Sequence, residues 1–193
     1  MLLMQSTLSQ DLASLVMNQI EAIASSNSDF QEAFETYVQQ YGREKIKVSE
    51  VTELGSSIDP VVVILGRNCV ITYLDSLKQL RGDHGSVRIS PGDSFIIGRR
   101  EPQDSKLVAW NRSGGVELQE YNSLVDTIPS RIHGIIASLA DGQTVYADLG
   151  SSARTILAGQ SKNLGGAFVR IYDPGSEESK AIKLRRIFTS NSL

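Results

Sequence analysis

Apolar residues fall into two kinds of spacing along this chain, and the change between them lies near Lys47. From Thr7 onward Leu8, Leu12, Leu15, Val16, Ile20 and Ile23 recur three to four residues apart, the stripe of an amphipathic helix. Thr7 and Gln10 have the spacing of a capping box, so the pattern predicts a helix over about 8–25. Ser28 and Gln31 repeat that spacing, Phe30, Phe34, Tyr37, Val38 and Tyr41 form a second stripe, and Gly42 is a suitable C-terminal stop. A helical pair joined by Ser25-Ser26-Asn27 is therefore expected within residues 1–45. Each stripe needs cover, from the other helix, from the rest of the molecule, or from a second copy of the chain. Packing within the molecule is the expectation, and a homo-oligomer formed through the N-terminal helices is the alternative.

After Lys47 the helical period stops, and short apolar or alternating runs are separated by glycine, proline, asparagine and aspartate. This is the texture of an all-β domain over 46–193. Runs at 61–65 and 69–74 flank Gly66-Arg67-Asn68, a tight hairpin, and a run at 94–97 follows the turn Pro91-Gly92-Asp93. Further runs at 107–110 and 116–121 flank Ser113-Gly114-Gly115, and those at 134–139 and 144–147 flank Asp141-Gly142. Late strands are expected at 167–172 and 181–188, with a solvated loop over 176–180. Local hairpins dominate, so the sheet is expected to be antiparallel.

Charge and composition narrow the function. The net charge is −3 and the pI about 5.4, so no global basic field gathers a polyanion, which argues against nucleic-acid binding. Phosphate recognition, if present, has to be local. One cysteine, Cys69, forms no intramolecular disulfide, no apolar run is long enough for a bilayer, and the first residues lack a secretory pattern. A cytoplasmic chain without membrane association is the expectation. Asn111-Arg112-Ser113 matches a glycosylation sequon, but a turn is the simpler reading.

Three motifs follow in order along the strand-rich half: Ile97-Gly98-Arg99, then Ser130-Arg131-Ile132-His133-Gly134, then Asp148-Leu149-Gly150-Ser151-Ser152-Ala153-Arg154-Thr155. A dianionic phosphate is bound well by a guanidinium fork, a hydroxyl and backbone N–H groups converging from rigid loop bases, and Arg99 and Ser130 supply the first two. Together the motifs resemble the forkhead-associated (FHA) signature over about 58–188. The resemblance implies an FHA-like antiparallel β-sandwich of about eleven strands, with the motifs on loops at one end. It implies a phosphothreonine-dependent adaptor in kinase-linked signalling, whose partner is a threonine-phosphorylated protein or peptide, with no cofactor and no metal. By the same resemblance Arg99, Ser130, Arg131, Ser152 and Arg154 form the phosphopeptide site. Gly98 and His133 support it, His133 by bracing the loops from within. Arg100 adds positive charge nearby.

Two features depart from the family pattern. Ala153-Arg154 replaces an Asn-Gly pair, which removes an amide that grips peptide backbone and a glycine that eases the loop. The stretch from Arg99 to Ser130 is long and is expected to hold an additional hairpin or lengthened strands over 107–121; core packing of Trp110 is the expectation, and a second contact surface around Trp110 or Tyr121 is the alternative. Ala153-Arg154 and the N-terminal helical extension motivate a second reading, a degenerate FHA scaffold that binds a partner or itself without phosphate. A hydrolase triad of Ser130, His133 and Asp148 or Asp126 is a distant third, because no Gly-x-Ser-x-Gly elbow is present. Gly114-Gly115 and Gly165-Gly166 read as turns, and His84 as an exposed loop histidine with no metal partner nearby.

Overall fold

The protein is described by a computed structural model over residues 2–48, 51–54, 60–66, 69–100, 106–120, 129–161, 166–172 and 180–182. Two helices come first, α1 (Leu2–Ser26) and α2 (Ser28–Tyr41), then a 3-10 turn over Arg43–Lys45. The strands are β1 (Val51–Glu53), β2 (Val61–Leu65), β3 (Cys69–Leu74), β4 (Gln79–Arg81), β5 (Ser86–Arg88), β6 (Ser94–Arg99) and β7 (Lys106–Asn111). They continue with β8 (Gly114–Glu120), β9 (Gly134–Ser138), β10 (Thr144–Asp148), β11 (Thr155–Ser161), β12 (Gly166–Tyr172) and β13 (Lys180–Ile182). One sheet has six strands in the order β1-β10-β9-β6-β7-β8, the other seven in the order β13-β12-β11-β2-β3-β4-β5. Neighbouring strands pair antiparallel throughout. The result is an antiparallel β-sandwich with thirteen strands among the described residues, against the expected eleven or so.

The two sheets bury different patterns. In β2 and β3 every second residue is buried, so one face of the seven-stranded sheet meets the core and the other meets solvent. Val63, Leu65, Ile71 and Tyr73 from that sheet meet Phe95, Ile97, Leu107, Ile136 and Tyr146 from the other. In β9 and β10 every residue is buried, and in β6 all but Arg99. Their second face carries Ile96, Val108, Trp110, Ile135 and Ala147, which pack against Val16, Ile20 and Ile23 of α1 and Phe30 and Tyr37 of α2. The helical pair therefore closes on the outer face of the six-stranded sheet, and full burial of each such aliphatic side chain stabilises by roughly 1.5–3 kcal/mol.

Several local expectations shift. Because α1 begins at Leu2, Thr7 and Gln10 lie within the helix instead of at its start. The cap of α2 is Asn27 instead of Ser28: its backbone is extended, and its Oδ1 accepts the Phe30 N–H at 3.1 Å. Asn27 Nδ2 also donates to the Asn111 carbonyl at 2.7 Å, fastening the helix start to the β7–β8 turn. Gly42 ends α2 as expected, donating its N–H to Val38 O at φ 85°. Asn111 is indeed a turn residue, accepting from the Ser113 and Gly114 N–H groups. Gly114 and Gly115 are not the turn, however, but the opening of β8, where a Cβ on Gly115 would sit 2.9 Å from Trp110 Cδ1. Trp110 is fully buried, its ring centroid 5.6 Å from that of Phe30, so it presents no contact surface. The β7–β8 hairpin extends the six-stranded sheet beyond β6 instead of crossing the loop end. The short strands β1, β4 and β5, and β11 directly after the third motif, were not anticipated. Arg67-Asn68, Tyr121, Asp126, Gly165, the loop at 176–179 and residues 183–188 lie outside the described residues.

Candidate functional site at the loop end of the sandwich

β6 ends at Arg99, β9 starts at Gly134, β10 ends at Asp148 and β11 starts at Thr155. Since β6–β9 and β9–β10 are antiparallel neighbours, and β10 leads directly into β11, the three motifs meet at one end of the sandwich. The approach is close. Arg99 N–H donates to Ser130 O at 3.3 Å and His133 N–H to Ile97 O at 2.9 Å. A Cβ on Gly98 would overlap the Arg131 carbonyl oxygen, so only glycine lets the 130–133 loop lie on the end of β6. On its other side that loop is held by Leu149 N–H, which donates to His133 O at 3.0 Å.

Behind the loops lies a buried polar network. His133 is fully buried, and its Nδ1 accepts the Ser130 N–H at 3.1 Å. Nδ1 therefore carries no proton, and Nε2–H points to Thr155 Oγ1 at 2.8 Å. Thr155 Oγ1 in turn donates its O–H to Asp148 Oδ2 at 2.7 Å. Burial pushes the His133 imidazole down to about 4, with the Asp148 charge acting against that shift, so the ring is neutral at pH 7. Asp148 also accepts from Gly150 N–H and Ser151 N–H at 2.9 Å and from Ser151 Oγ at 2.8 Å. Tyr146 stands at the edge of the network, 3.4 Å from Thr155 Oγ1, and burial raises its phenol well above the usual range. Left unsatisfied, any one of these buried groups would cost about 1–3 kcal/mol, which is why the network is closed on itself.

In front of the network two serines join the loops. Ser152 N–H donates to Ser130 Oγ at 2.8 Å, and the two hydroxyl oxygens are 3.0 Å apart. Ser130 is buried beneath this contact, whereas Ser152 is exposed. Arg99 and Arg131 are half-buried and Arg154 is exposed; the Nε of Arg131 is buried and has no hydrogen bond among the described residues. The Arg154 carbonyl accepts from Gly66 N–H at 2.6 Å, which ties the third motif to the β2–β3 turn. Thus Gly98, Arg99, Ser130, Arg131, His133, Ser152 and Arg154 all belong to one loop end. Arg100 does not add to that surface, because its guanidinium is drawn to Asp29 at 3.6 Å, on the first turn of α2. Ala153 is buried.

Ser130 and His133 do not form a nucleophile–base pair: the serine hydroxyl bonds Ser152, and both ring nitrogens serve Ser130 N–H and Thr155. Sequence reasoning overlooked Asp148 and Thr155 as network members. An Asp followed by Gly and Ser two and three residues on is the signature of an Asx turn, and that signal was present in Asp148, Gly150 and Ser151. Elsewhere His84 is exposed, 3.6 Å from Glu117. Among the described residues no group of His, Cys, Asp and Glu is placed to hold a metal ion, and no helix is long and apolar enough to cross a membrane. Compared with protein-family models, with curated proteins and with solved structures, the chain finds no match.

Proposed function

We propose that the chain is a phosphothreonine-dependent binding module, a divergent FHA-type sandwich that acts as an adaptor in kinase-linked signalling and carries out no catalytic step. The observation that carries this reading is the Arg99–Ser130–Ser152 junction, where a strand-end arginine, a buried serine and an exposed serine from three separate motifs come within hydrogen-bond contact of one another's backbone or hydroxyl. In this reading the phosphate sits over Ser152. With the Ser130 O–H donating a hydrogen bond to Ser152 Oγ, the exposed Ser152 O–H is left to point at a ligand oxygen, while Arg99, Arg131 and Arg154 supply charge. The neutral His133, the Asp148 carboxyl and Thr155 hold the two loops in place without touching ligand. Arg154 fits the loop where the family has glycine, because among the described residues Lys78 is the non-glycine residue with positive φ, and the loop's own positive φ falls at Gly150.

A degenerate phosphothreonine peptide library tests the proposal: the chain is expected to enrich phosphorylated over unphosphorylated peptides, with affinities on the micromolar scale, about −8 kcal/mol, and Arg99→Ala is expected to abolish the enrichment. No enrichment, or enrichment that Arg99→Ala leaves intact, contradicts it.

A second reading has its own observation. Ala153 is buried and offers no amide to a peptide backbone, and the Ser130 hydroxyl is already engaged. A degenerate scaffold that binds a partner or itself without phosphate accounts for both. Partners captured from a lysate that survive phosphatase treatment and Arg99→Ala favour this second reading over the first.

A further inference from the structure

The segment after α2 does more than connect the helices to the sandwich. Lys47 N–H donates to Leu149 O at 3.3 Å, and a Cβ on Gly150 (φ 78°) would overlap the Lys45 carbonyl oxygen, so the segment lies directly on the loop that carries Ser152. Gly150 and Ser152 are two residues apart, at most about 7 Å of chain. The side chains of Lys45 and Lys47 are both exposed, and neither ammonium has an ion-pair partner among the described residues. Their neighbours differ: Arg43 is paired with Glu21 and Arg100 with Asp29. Among the described residues of the segment the carboxylate is that of Glu44, and it folds back against Gly42. In a chain of net charge −3, two exposed cations without an ion-pair partner among the described residues, beside an exposed loop hydroxyl, form a local positive field within about one Debye length, about 8–10 Å at physiological salt.

We propose that Lys45 and Lys47 are specificity-determining residues that form an outer cationic border to the loop-end site, so that its preferred ligand is a phosphopeptide with acidic residues flanking the phosphothreonine. The inference rests on the phosphothreonine reading above and adds the class of flanking sequence and a binding role for the helical segment. Solvent-exposed charge pairs of this kind each contribute modestly, so the pair of lysines is expected to give a preference of about threefold to tenfold, carried mainly by association rate and erased by salt.

The test uses the full chain and three peptides with one common phosphothreonine core: one with acidic residues before it, one with acidic residues after it, and one with neutral flanks. Fluorescence anisotropy titrations are expected to show one acidic peptide binding about threefold to tenfold more tightly than the neutral one. In the Lys45→Gln/Lys47→Gln double variant, and in the unaltered chain at about 0.5 M salt, the ratio is expected to fall to near one. Both substitutions are on exposed side chains, and circular dichroism with a urea midpoint checks that the fold is retained. If the neutral peptide binds but neither acidic peptide binds better, or if the preference survives the double variant, the border is refuted while the phosphothreonine reading stands. If none of the three binds, both fall together.

Discussion

The Ser152 N–H donates to the Ser130 hydroxyl oxygen across 2.8 Å, and the two hydroxyls face each other at 3.0 Å, joining loops that are 22 residues apart in the chain. The two serines are not equivalent. Ser130→Ala removes the acceptor of Ser152 N–H and is expected to lower stability by about 1–2 kcal/mol as well as ligand binding. Ser152→Ala keeps that N–H and removes only the acceptor of the Ser130 O–H, so it should cost less than Ser130→Ala, about 1 kcal/mol or under, while still weakening phosphopeptide binding. Urea unfolding separates them, and equal stability losses would show that the serine contact is not directional as described.

His133 sets a pH dependence. Its folded value, about 4, lies below the ordinary 6.5, so the unfolded chain binds the proton more readily and low pH favours unfolding. The stability conferred by the neutral buried ring is fully present above about pH 6.5 and is lost as pH falls towards 4, by roughly 3 kcal/mol in all. Urea midpoints measured between pH 7.5 and 4.5 should fall accordingly. In a His133→Gln variant, less stable at neutral pH, that part of the slope should disappear; an unchanged slope would assign the dependence to other groups.

Gly98 and Gly92 make a paired comparison. A methyl at Gly98 meets the Arg131 carbonyl, a backbone atom that moves only with its loop, so Gly98→Ala is expected to cost more than about 2 kcal/mol and to disturb the site. Gly92 has φ 86° but open space around it, so Gly92→Ala should cost about 1 kcal/mol and leave binding unchanged. Thermal unfolding of both variants checks the order, and the reverse order would contradict the loop placement.

The helical pair is bound into the sandwich through Phe30 and Trp110. Phe30→Ala is expected to cost about 3–5 kcal/mol, and because Trp110 is the chain's one tryptophan its emission reports the site without ambiguity. Removal of the residues before 43 uncovers Ile96, Val108, Trp110 and Ile135 together, so the shortened chain is expected to show red-shifted emission and to aggregate. A soluble, blue-emitting fragment would show that the helices are dispensable cover.

These contacts also explain what could be read from the sequence. The helix stripes, the hairpins at Gly66 and Asp141 and the turn Pro91-Gly92-Asp93 were legible because each depends on residues within a few positions of one another. The covered outer face was not legible in this way: β2 is an unbroken apolar run in sequence yet alternates buried with half-buried positions, whereas β9 is buried throughout and β6 at all but Arg99, because only their outer face meets the helices. The cap at Asn27 was missed because the serine beside it has the same chemistry and a better-known box spacing. The engagement of Ser130 by Ser152, and of Arg100 by Asp29, depends on how distant segments meet, and spacing along the chain does not encode it. The motifs gather at one end of the sandwich, as their order implied, but their order does not say which of the hydroxyls there faces solvent.

The central claim is that the loop end receives a phosphate. Backbone amide shifts of the full chain, followed by NMR while a phosphothreonine peptide and its unphosphorylated twin are titrated, test it most directly. The account predicts phosphate-dependent shifts confined to residues around Arg99, Ser130–His133 and Asp148–Thr155, absent with the unphosphorylated twin. Identical responses to the two peptides, or shifts centred on another face of the sandwich, would contradict it.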